Sequence, residues 1–195
     1  MKKQLALAIA LAAASFGSIA GELSYSWVDG GYSRTNLDFS GTDVDFDGFA
    51  LRGSAELGQS FYVLGGYLSA SNDDFGTDID LNQSQIGFGF HHRLSEGVRA
   101  DFIAEVSYLN AEAEVGGFSD DEEAYRGSIG VRGQMAENFE GLIKLNYSDA
   151  GDAQDGDVSG TVGAQFKFNP TWGLVGEVEL GDDVTQYLLG VRASF

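Results

Sequence analysis

Three aspartates at alternating positions are the first candidates for chemistry in this sequence. Asp43, Asp45 and Asp47 precede Gly48, and this spacing matches the opening of a calcium-binding loop, whose carboxylate oxygens suit hard cations. The twelfth position of such a loop supplies a bidentate glutamate, but here it is Ser54. The stretch also runs directly into a predicted strand. We therefore predict no metal site and no cofactor, and these aspartates remain the only metal candidates that the sequence offers.

The two histidines, His91 and His92, are the next candidates because an imidazole is the usual general base. A hydrolase would pair such a base with a nucleophile, but the sequence has no cysteine and no Gly-x-Ser-x-Gly elbow. Ser95 and Glu96 follow the histidines in a predicted turn, where a triad could not be held rigidly. A histidine cluster for a catalytic metal is also missing. The sequence therefore predicts that the protein is not an enzyme.

A larger set of charged residues recurs at alternate positions of segments that otherwise read as strands. Its members are Arg52, Arg99, Asp101, Glu105, Arg126, Arg132, Glu140, Lys144, Lys167, Glu177 and Arg192. Neighbouring segments bring Arg132 near Glu140, Glu140 near Lys167, and Glu177 near Arg192. One interpretation is a structural network, because an unpaired buried charge costs several kcal/mol.

The other interpretation of these charges is a gate across a narrow pore. Small residues share the same inward faces and would leave space beside the charges: Gly87, Gly89, Ser128, Gly130, Thr161 and Gly163.

The closing residues have the clearest pattern among the elements that must carry these charges. Tyr187, Leu189, Val191, Ala193 and Phe195 occupy every second position. A period of two predicts a β-strand with one apolar face and one mixed face. The same alternation recurs along the chain and predicts ten strands, with eight as the alternative count.

Connections between the predicted strands alternate in length. Short turns near Gly58, Leu94, Ala136 and Asn169 separate mostly longer loops, of which 36–43 and 113–121 are acidic. The first strand, over 22–34, has Leu23, Tyr25 and Trp27 on its apolar face, which we expect to point outward. The third strand, over 60–71, is apolar on both faces, so its orientation stays open.

Aromatic residues cluster at the two ends of the predicted strands. Phenylalanines lie near the short turns, and tyrosines near the longer loops. The phenylalanines are Phe88, Phe90, Phe102, Phe139, Phe166, Phe168 and Phe195; the tyrosines are Tyr67, Tyr108, Tyr125, Tyr147 and Tyr187. Two aromatic belts separated by aliphatic residues are typical of a surface that crosses a bilayer.

The first twenty residues have the pattern of a cleavable signal peptide. Lys2 and Lys3 precede an apolar run over 5–14, and Ser18-Ile19-Ala20 supplies a small-x-small cleavage site. The run is too short to span a bilayer comfortably. We therefore predict a signal peptide over 1–20 and one β-barrel domain over 21–195, exported from the cytoplasm.

The charge balance limits the partners. With 30 acidic and 11 basic residues, the formal net charge is −19, which would repel nucleic acid. Most of the acidic residues lie in or beside the predicted longer loops. They indicate either a solvated rim or a rim that shares divalent cations with lipopolysaccharide.

The closing strand resembles that of bacterial outer-membrane β-barrels, since it ends on an aromatic residue after alternating apolar positions. The chain as a whole resembles small barrels of the OmpA-transmembrane-domain, OmpX and OmpW kind. This resemblance implies an all-β, closed, antiparallel, up-and-down transmembrane barrel in the outer membrane of a Gram-negative bacterium. It also implies that the barrel-assembly machinery reads Tyr187, Leu189, Val191, Ala193 and Phe195, and that outer-membrane lipid and lipopolysaccharide surround a monomer.

Three functions remain open from the sequence. The first is an integral outer-membrane barrel with a structural or surface-interaction role and acidic external loops. The second is a narrow porin-like channel for small solutes, favouring cations because of the acidic rim. The third is a soluble secreted barrel that binds a small apolar ligand. This last function would require a polar outer face and an apolar lumen.

Overall fold

A computed structural model of the chain describes residues 23–38, 43–72, 79–95, 99–151 and 156–195. The described residues form ten β-strands. In chain order these are β1 (Trp27–Asp38), β2 (Asp43–Leu57), β3 (Phe61–Asn72), β4 (Ile79–Arg93), β5 (Ala100–Val115), β6 (Phe118–Ala136), β7 (Phe139–Asp149), β8 (Asp157–Lys167), β9 (Trp172–Leu180) and β10 (Val184–Ser194). The predicted count of ten is confirmed, and the signal peptide predicted over 1–20 lies outside the described residues.

The strands form one closed, antiparallel, up-and-down barrel. Each strand pairs with its neighbours in sequence, and β1 pairs with β10 from Trp27↔Ser194 to Leu37↔Val184. Closure gives the backbone N–H and C=O groups of the two terminal strands partners, which hydrocarbon could not supply. No helix in the described residues is long and apolar enough to cross a membrane.

The two ends of the barrel differ in their connections. We call the end with the turns β2–β3, β4–β5, β6–β7 and β8–β9 the turn end, and the opposite end the loop end. The predicted loop over 113–121 is wrong, because β5 and β6 continue to the pair Val115↔Phe118. Gly116 and Gly117 join them with φ values of 59° and 83°, a left-handed pair that suits a two-residue hairpin turn.

The outer surface is apolar, as the alternation predicts. Ile86, Phe88, Val106 and Leu189 are more than 60% exposed, which a bilayer would cover. At the loop end, outward-facing tyrosines occur on β1, β3, β5, β6, β7 and β10. They are Tyr32, Tyr67, Tyr108, Tyr125, Tyr147 and Tyr187. This tyrosine belt includes Tyr32, which the sequence pattern did not single out. The apolar outer surface contradicts the hypothesis of a soluble barrel.

The first strand is the main correction to the predicted orientation. Tyr25 and Trp27 are fully buried and point into the lumen, whereas Val28 and Tyr32 face outward. The regular strand also begins at Trp27 rather than at residue 22. The third strand, left open by its sequence, buries Tyr62 and exposes Phe61. In both strands the lumen accepts large apolar side chains, so alternation alone could not decide which face points inward.

Candidate functional site

The centre of the lumen holds a four-residue charge cluster. Asp29 lies directly opposite Arg52 on β2 and Arg192 on β10. Arg52 donates Nε to Asp29 Oδ1 at 2.9 Å and Nη1 to Glu177 Oε2 at 2.7 Å. Arg192 donates Nε to Asp29 Oδ2 at 2.8 Å and lies 3.4 Å from Glu177 through Nη2. Two arginines thus neutralise two buried carboxylates.

Asp29 is the member of this cluster that sequence reasoning missed. A signal was available, because a carboxylate in the middle of a membrane-crossing strand must face the lumen rather than lipid. Trp27 shares that face, and Arg192 stacks over its ring with Cζ 3.9 Å from the centroid. Placing Asp29 inward would therefore also have placed Trp27 inward.

Two more ion pairs lie in the lumen at the sides of this cluster. Lys144 Nζ donates to Glu105 Oε2 at 2.8 Å, and the Tyr62 hydroxyl donates to Glu105 Oε1 at 2.7 Å. Arg126 Nη2 lies 3.0 Å from Glu179 Oε1. These arrangements join strands that are not neighbours in the sheet, so they span the lumen.

A third group of charges lies nearer the turn end. Arg132 Nη2 donates to Glu140 Oε2 at 2.9 Å, and Lys167 pairs with the other oxygen of Glu140. The contacts predicted from strand adjacency for these residues are present. Arg99 is a correction: it is exposed, precedes β5, and donates to the side chain of Gln134. Strand β5 begins at Ala100, one residue after Arg99, so Arg99 lies outside the strand and its side chain does not join the lumen charges.

An aromatic layer closes the turn end of the lumen. Tyr25 lies before β1, stacks on the His91 ring with centroids 3.7 Å apart, and donates its hydroxyl to Asp101 Oδ2 at 2.9 Å. Arg132 lies over the Tyr25 ring and donates to the Ser24 carbonyl at 3.2 Å. The segment before β1 therefore crosses the mouth and attaches to β4, β5 and β6.

An apolar cluster fills the loop end of the lumen, where the sequence pattern predicted charged and polar side chains. Its buried members are Leu37, Val44, Phe46, Ala50, Leu68, Ala70, Leu81 and Leu188. Their positions alternate with outward polar residues such as Asp45 and Asp47. The sequence carried a signal of this reversal of the alternation. Near the loop end of the strands, the outward-facing residues become polar and the inward-facing residues become apolar.

Three of the small inward residues lie against large side chains of the adjacent strand. A Cβ on Gly89 would meet the Tyr62 ring at 2.0 Å, and one on Gly130 would lie 2.7 Å from Lys144 Cγ. A Cβ on Gly163 would lie 2.9 Å from Glu177 Cγ. Each glycine accommodates a large side chain from the adjacent strand, so the space it provides is already occupied.

A polar cavity of about 570 Å³ opens at the turn end. Its lining is Leu23, Glu56, Gly58, Gln59, Ser60, His91, His92, Arg93 and Asp101. His91 lies 3.7 Å from both Glu56 and Asp101, whereas His92 is exposed. The described lining has no cysteine, and its serine lies in a turn. The cavity thus offers hydrogen bonds and charge, without a nucleophile oriented by a base.

The candidate metal residues lie on the outer surface near the loop end. Arg34 pairs with Asp45, and hydrogen bonds from Arg34 and Asn36 lower the pKa of that carboxyl. Asp47 contacts the Tyr32 hydroxyl. For Asp43 the structure describes the backbone alone. Among the described residues, no group of three histidine, cysteine or acidic side chains is arranged to hold a metal ion.

The loop-end rim also contains acidic residues that repel one another. Burial raises the pKa of Asp157, and the nearby carboxylates Asp183 and Asp182 raise it further. This rim residue lies beyond Tyr147, at the end of the barrel where β8 begins.

The closing strand presents most of its predicted assembly signal on the outer surface. Tyr187, Leu189, Val191 and Phe195 are exposed there. Ala193 is buried, because its paired neighbours Val28 and Trp172 carry larger side chains.

Solved structures of other barrels are similar to this chain. The translocator domain of the autotransporter NalP from Neisseria meningitidis is 7% identical with a TM-score of 0.52, over 88% of this chain and 89% of that one. Ail, the attachment invasion locus protein of Yersinia pestis, solved with the heparin analogue sucrose octasulfate, is 16% identical with a TM-score of 0.46, over 87% and 97%. The outer membrane protein OprG from Pseudomonas aeruginosa is 10% identical with a TM-score of 0.47, over 91% and 99%.

At these identities the NalP likeness supports the fold alone. The comparison with curated proteins gives no match. The sequence pattern of the outer membrane protein beta-barrel domain matches residues 5–194, which is nearly the whole chain. With its closed ten-stranded barrel and apolar outer surface, the chain is an integral outer-membrane protein that belongs to the outer membrane protein β-barrel family.

Proposed function

We propose that this protein is a plugged outer-membrane barrel that acts through its external surface and does not conduct solutes. The observation that carries the proposal is the filling of the lumen in three successive layers. Tyr25, Trp27 and Tyr62 fill the turn end, the cluster of Asp29 and its partners fills the centre, and the apolar cluster fills the loop end.

The interior charges argue against a cation-favouring channel. A permeating cation would have to displace Arg52 or Arg192 from carboxylates that they already neutralise at hydrogen-bonding distance. It would then meet the apolar cluster, where no charged group could replace its hydration shell. Each step costs free energy. These contacts therefore support a structural role for the charge network rather than a role as a gate.

The orientation of the barrel in the membrane indicates which of its two ends would have the surface role. In this class of barrels the short turns face the periplasm and the longer connections face the exterior. The tyrosine belt would then lie at the outer interface, against the headgroups of lipopolysaccharide. The exposed residues of the closing strand would be read by the assembly machinery during insertion.

Single-channel recording in planar bilayers tests this function. We expect the purified barrel to insert without conductance steps, since the three layers leave no continuous aqueous path. The conductance of a double variant, Tyr25→Ala with Trp27→Ala, is recorded for comparison. Heat-dependent gel mobility checks that this variant is folded. Stepwise ion conductance by the unaltered protein would contradict the proposal and support the narrow channel.

A further inference from the structure

His91 lies between two carboxylates at the turn end of the lumen. Its Nε2 is 3.7 Å from Glu56 Oε1 on β2, and its Nδ1 is 3.7 Å from Asp101 Oδ2 on β5. Neither distance is that of a hydrogen bond. A neutral imidazole has one N–H group and can donate to one of these carboxylates, whereas an imidazolium can donate to both. The arrangement therefore matches the protonated ring better than the neutral ring.

Glu56 has a different kind of partner from the carboxylates deeper in the lumen. Asp29, at the centre, pairs with the permanently charged Arg52. In the part of the chain that the structure describes, no lysine or arginine nitrogen lies within 4.0 Å of the Glu56 carboxylate, and its ion-pair partner is His91. Within the fold, the charge of Glu56 is therefore balanced only when His91 carries a proton.

Two tyrosine rings also face His91. Tyr25, in the segment before β1, stacks on the imidazole with centroids 3.7 Å apart and planes 12° apart. Tyr62 on β3 is tilted at a centroid distance of 6.2 Å. A cation over the face of a tyrosine is attracted by the ring, so protonation of His91 would strengthen its contact with Tyr25.

Two arginines near the ring oppose a further positive charge, but each already has a carboxylate. Arg93 Nε lies 3.6 Å from Asp101 Oδ1, the oxygen that does not face His91. Arg132, which lies over the Tyr25 ring, donates to Glu140 at 2.9 Å. Glu56 is thus the carboxylate at this end whose charge remains for an imidazolium.

The same contacts attach the segment before β1, residues 23–26, to the mouth of the barrel. The Tyr25 hydroxyl donates to Asp101 Oδ2, the oxygen that faces His91. The Glu56 backbone amide donates to Ser26 Oγ at 3.1 Å. Leu23 and His91 both line the cavity of about 570 Å³, so water and protons can reach the ring through it.

We propose that His91 is a pH-dependent attachment point for the segment 23–26. The protonated ring pairs with Glu56 and Asp101, and its charge stacks on Tyr25. The neutral ring loses the charge of both interactions. Because protonation strengthens the attachment, the segment is held more firmly as the pH falls. This inference goes beyond the proposed surface role and does not rest on it, since the central cluster and the apolar cluster fill the lumen in either state.

Thiol labelling tests this inference, because the sequence contains no cysteine. Ser24→Cys places a single thiol on the segment, and its rate of reaction with a maleimide is measured at about pH 5.5 and about pH 7.5, on either side of an ordinary imidazole titration. Division by the rate for glutathione at the same pH corrects for titration of a thiol. We expect the corrected rate to be about tenfold lower at the acidic pH, the effect of one charge-assisted hydrogen bond.

Variants made in the Ser24→Cys protein identify the titrating group. We expect His91→Gln to abolish the pH dependence, with fast labelling at both pH values. The matched control, His92→Gln, replaces the adjacent exposed histidine and should keep the full pH dependence. Glu56→Gln should reduce the dependence, whereas Glu137→Gln in the exposed β6–β7 turn should not. Heat-dependent gel mobility establishes that each variant is folded.

Three results would overturn this inference: a corrected rate that does not change with pH, an equal change in His91→Gln, or loss of the change in His92→Gln. If His91→Gln does not fold, the comparison of Glu56→Gln with Glu137→Gln decides, and equal pH dependence in these two would contradict the inference. Conductance recorded at both pH values tests the plugged function separately. A conducting barrel contradicts that function, whatever the labelling result.

Discussion

The lumen and the acidic face, by which we mean the outward carboxylates Glu112, Glu114, Asp121 and Glu123 of β5 and β6, hold carboxylates under opposite conditions. In the lumen, Asp29 has two arginines and Glu105 has Lys144, each within hydrogen-bonding distance. On the acidic face, Glu112 lies opposite Asp121, and the segment 109–125 that holds both contains no lysine or arginine. Glu105 and Glu112 are seven residues apart on the same strand, β5, so the contrast arises from the side of the sheet that each faces.

The difference shows that a buried charged side chain needs an oppositely charged partner, whereas a solvated one does not. An unpaired carboxylate in the lumen would lose its hydration with no compensation, so each one needs a cation. Water solvates the acidic face, so carboxylates there can tolerate one another at a small cost. Outward carboxylates therefore need no cation within the fold, whereas the lumen carboxylates are paired with lysine or arginine.

Removing a cation from the lumen should have the largest effect. Arg52→Met leaves Glu177 without its closest partner and should lower the free energy of unfolding by about 3–5 kcal/mol. Urea-dependent unfolding in phospholipid vesicles measures this change. In the double variant with Glu177→Gln the stranded charge is removed, so it should be more stable than Arg52→Met alone. If the double variant gains nothing, Arg52 acts through packing on Trp27 instead.

Loss of a single buried hydroxyl should have an intermediate effect. Tyr25→Phe removes the hydrogen bond to Asp101 that holds the segment before β1 across the mouth, and should cost about 1.5–3 kcal/mol. Tyr67→Phe, the matched change, removes an exposed hydrogen bond to Asn82 and should stay within about 0.5 kcal/mol. The same urea titration compares them, and equal costs would mean that Tyr25 does not fasten the segment.

Removing a charge from the acidic face should have the smallest effect and the opposite sign. Glu112→Gln relieves repulsion from Asp121 and should raise the free energy of unfolding by about 0.2–1 kcal/mol, with the gain shrinking at high salt. Glu105→Gln on the other side of β5 removes the carboxylate that Lys144 contacts at 2.8 Å and should destabilise the barrel. A loss of stability in both variants would contradict the distinction between the two surfaces.

Much of the barrel could be predicted where alternation is strict. In β5 to β8, which alternate charged with apolar side chains, the predicted belt residues face outward: Phe102, Tyr108, Tyr125, Tyr147 and Phe166. The prediction failed at Tyr25 and Trp27, where both candidate faces were compatible with alternation. It also failed at Arg99, since the end of a strand depends on where pairing stops. It also failed over 113–121, where the acidic composition predicts a loop but β5 and β6 pair as far as Val115↔Phe118.

By itself the sequence determined the strand number, the apolar outer surface and the adjacency of pairs such as Arg132 and Glu140. These follow from local alternation and from the order of antiparallel neighbours. Only the tertiary structure decided which side chains meet inside the barrel: Tyr25 reaches Asp101, and Arg52 reaches Glu177. Contacts across a lumen depend on barrel diameter and side-chain length together, and neither is a property of a single strand.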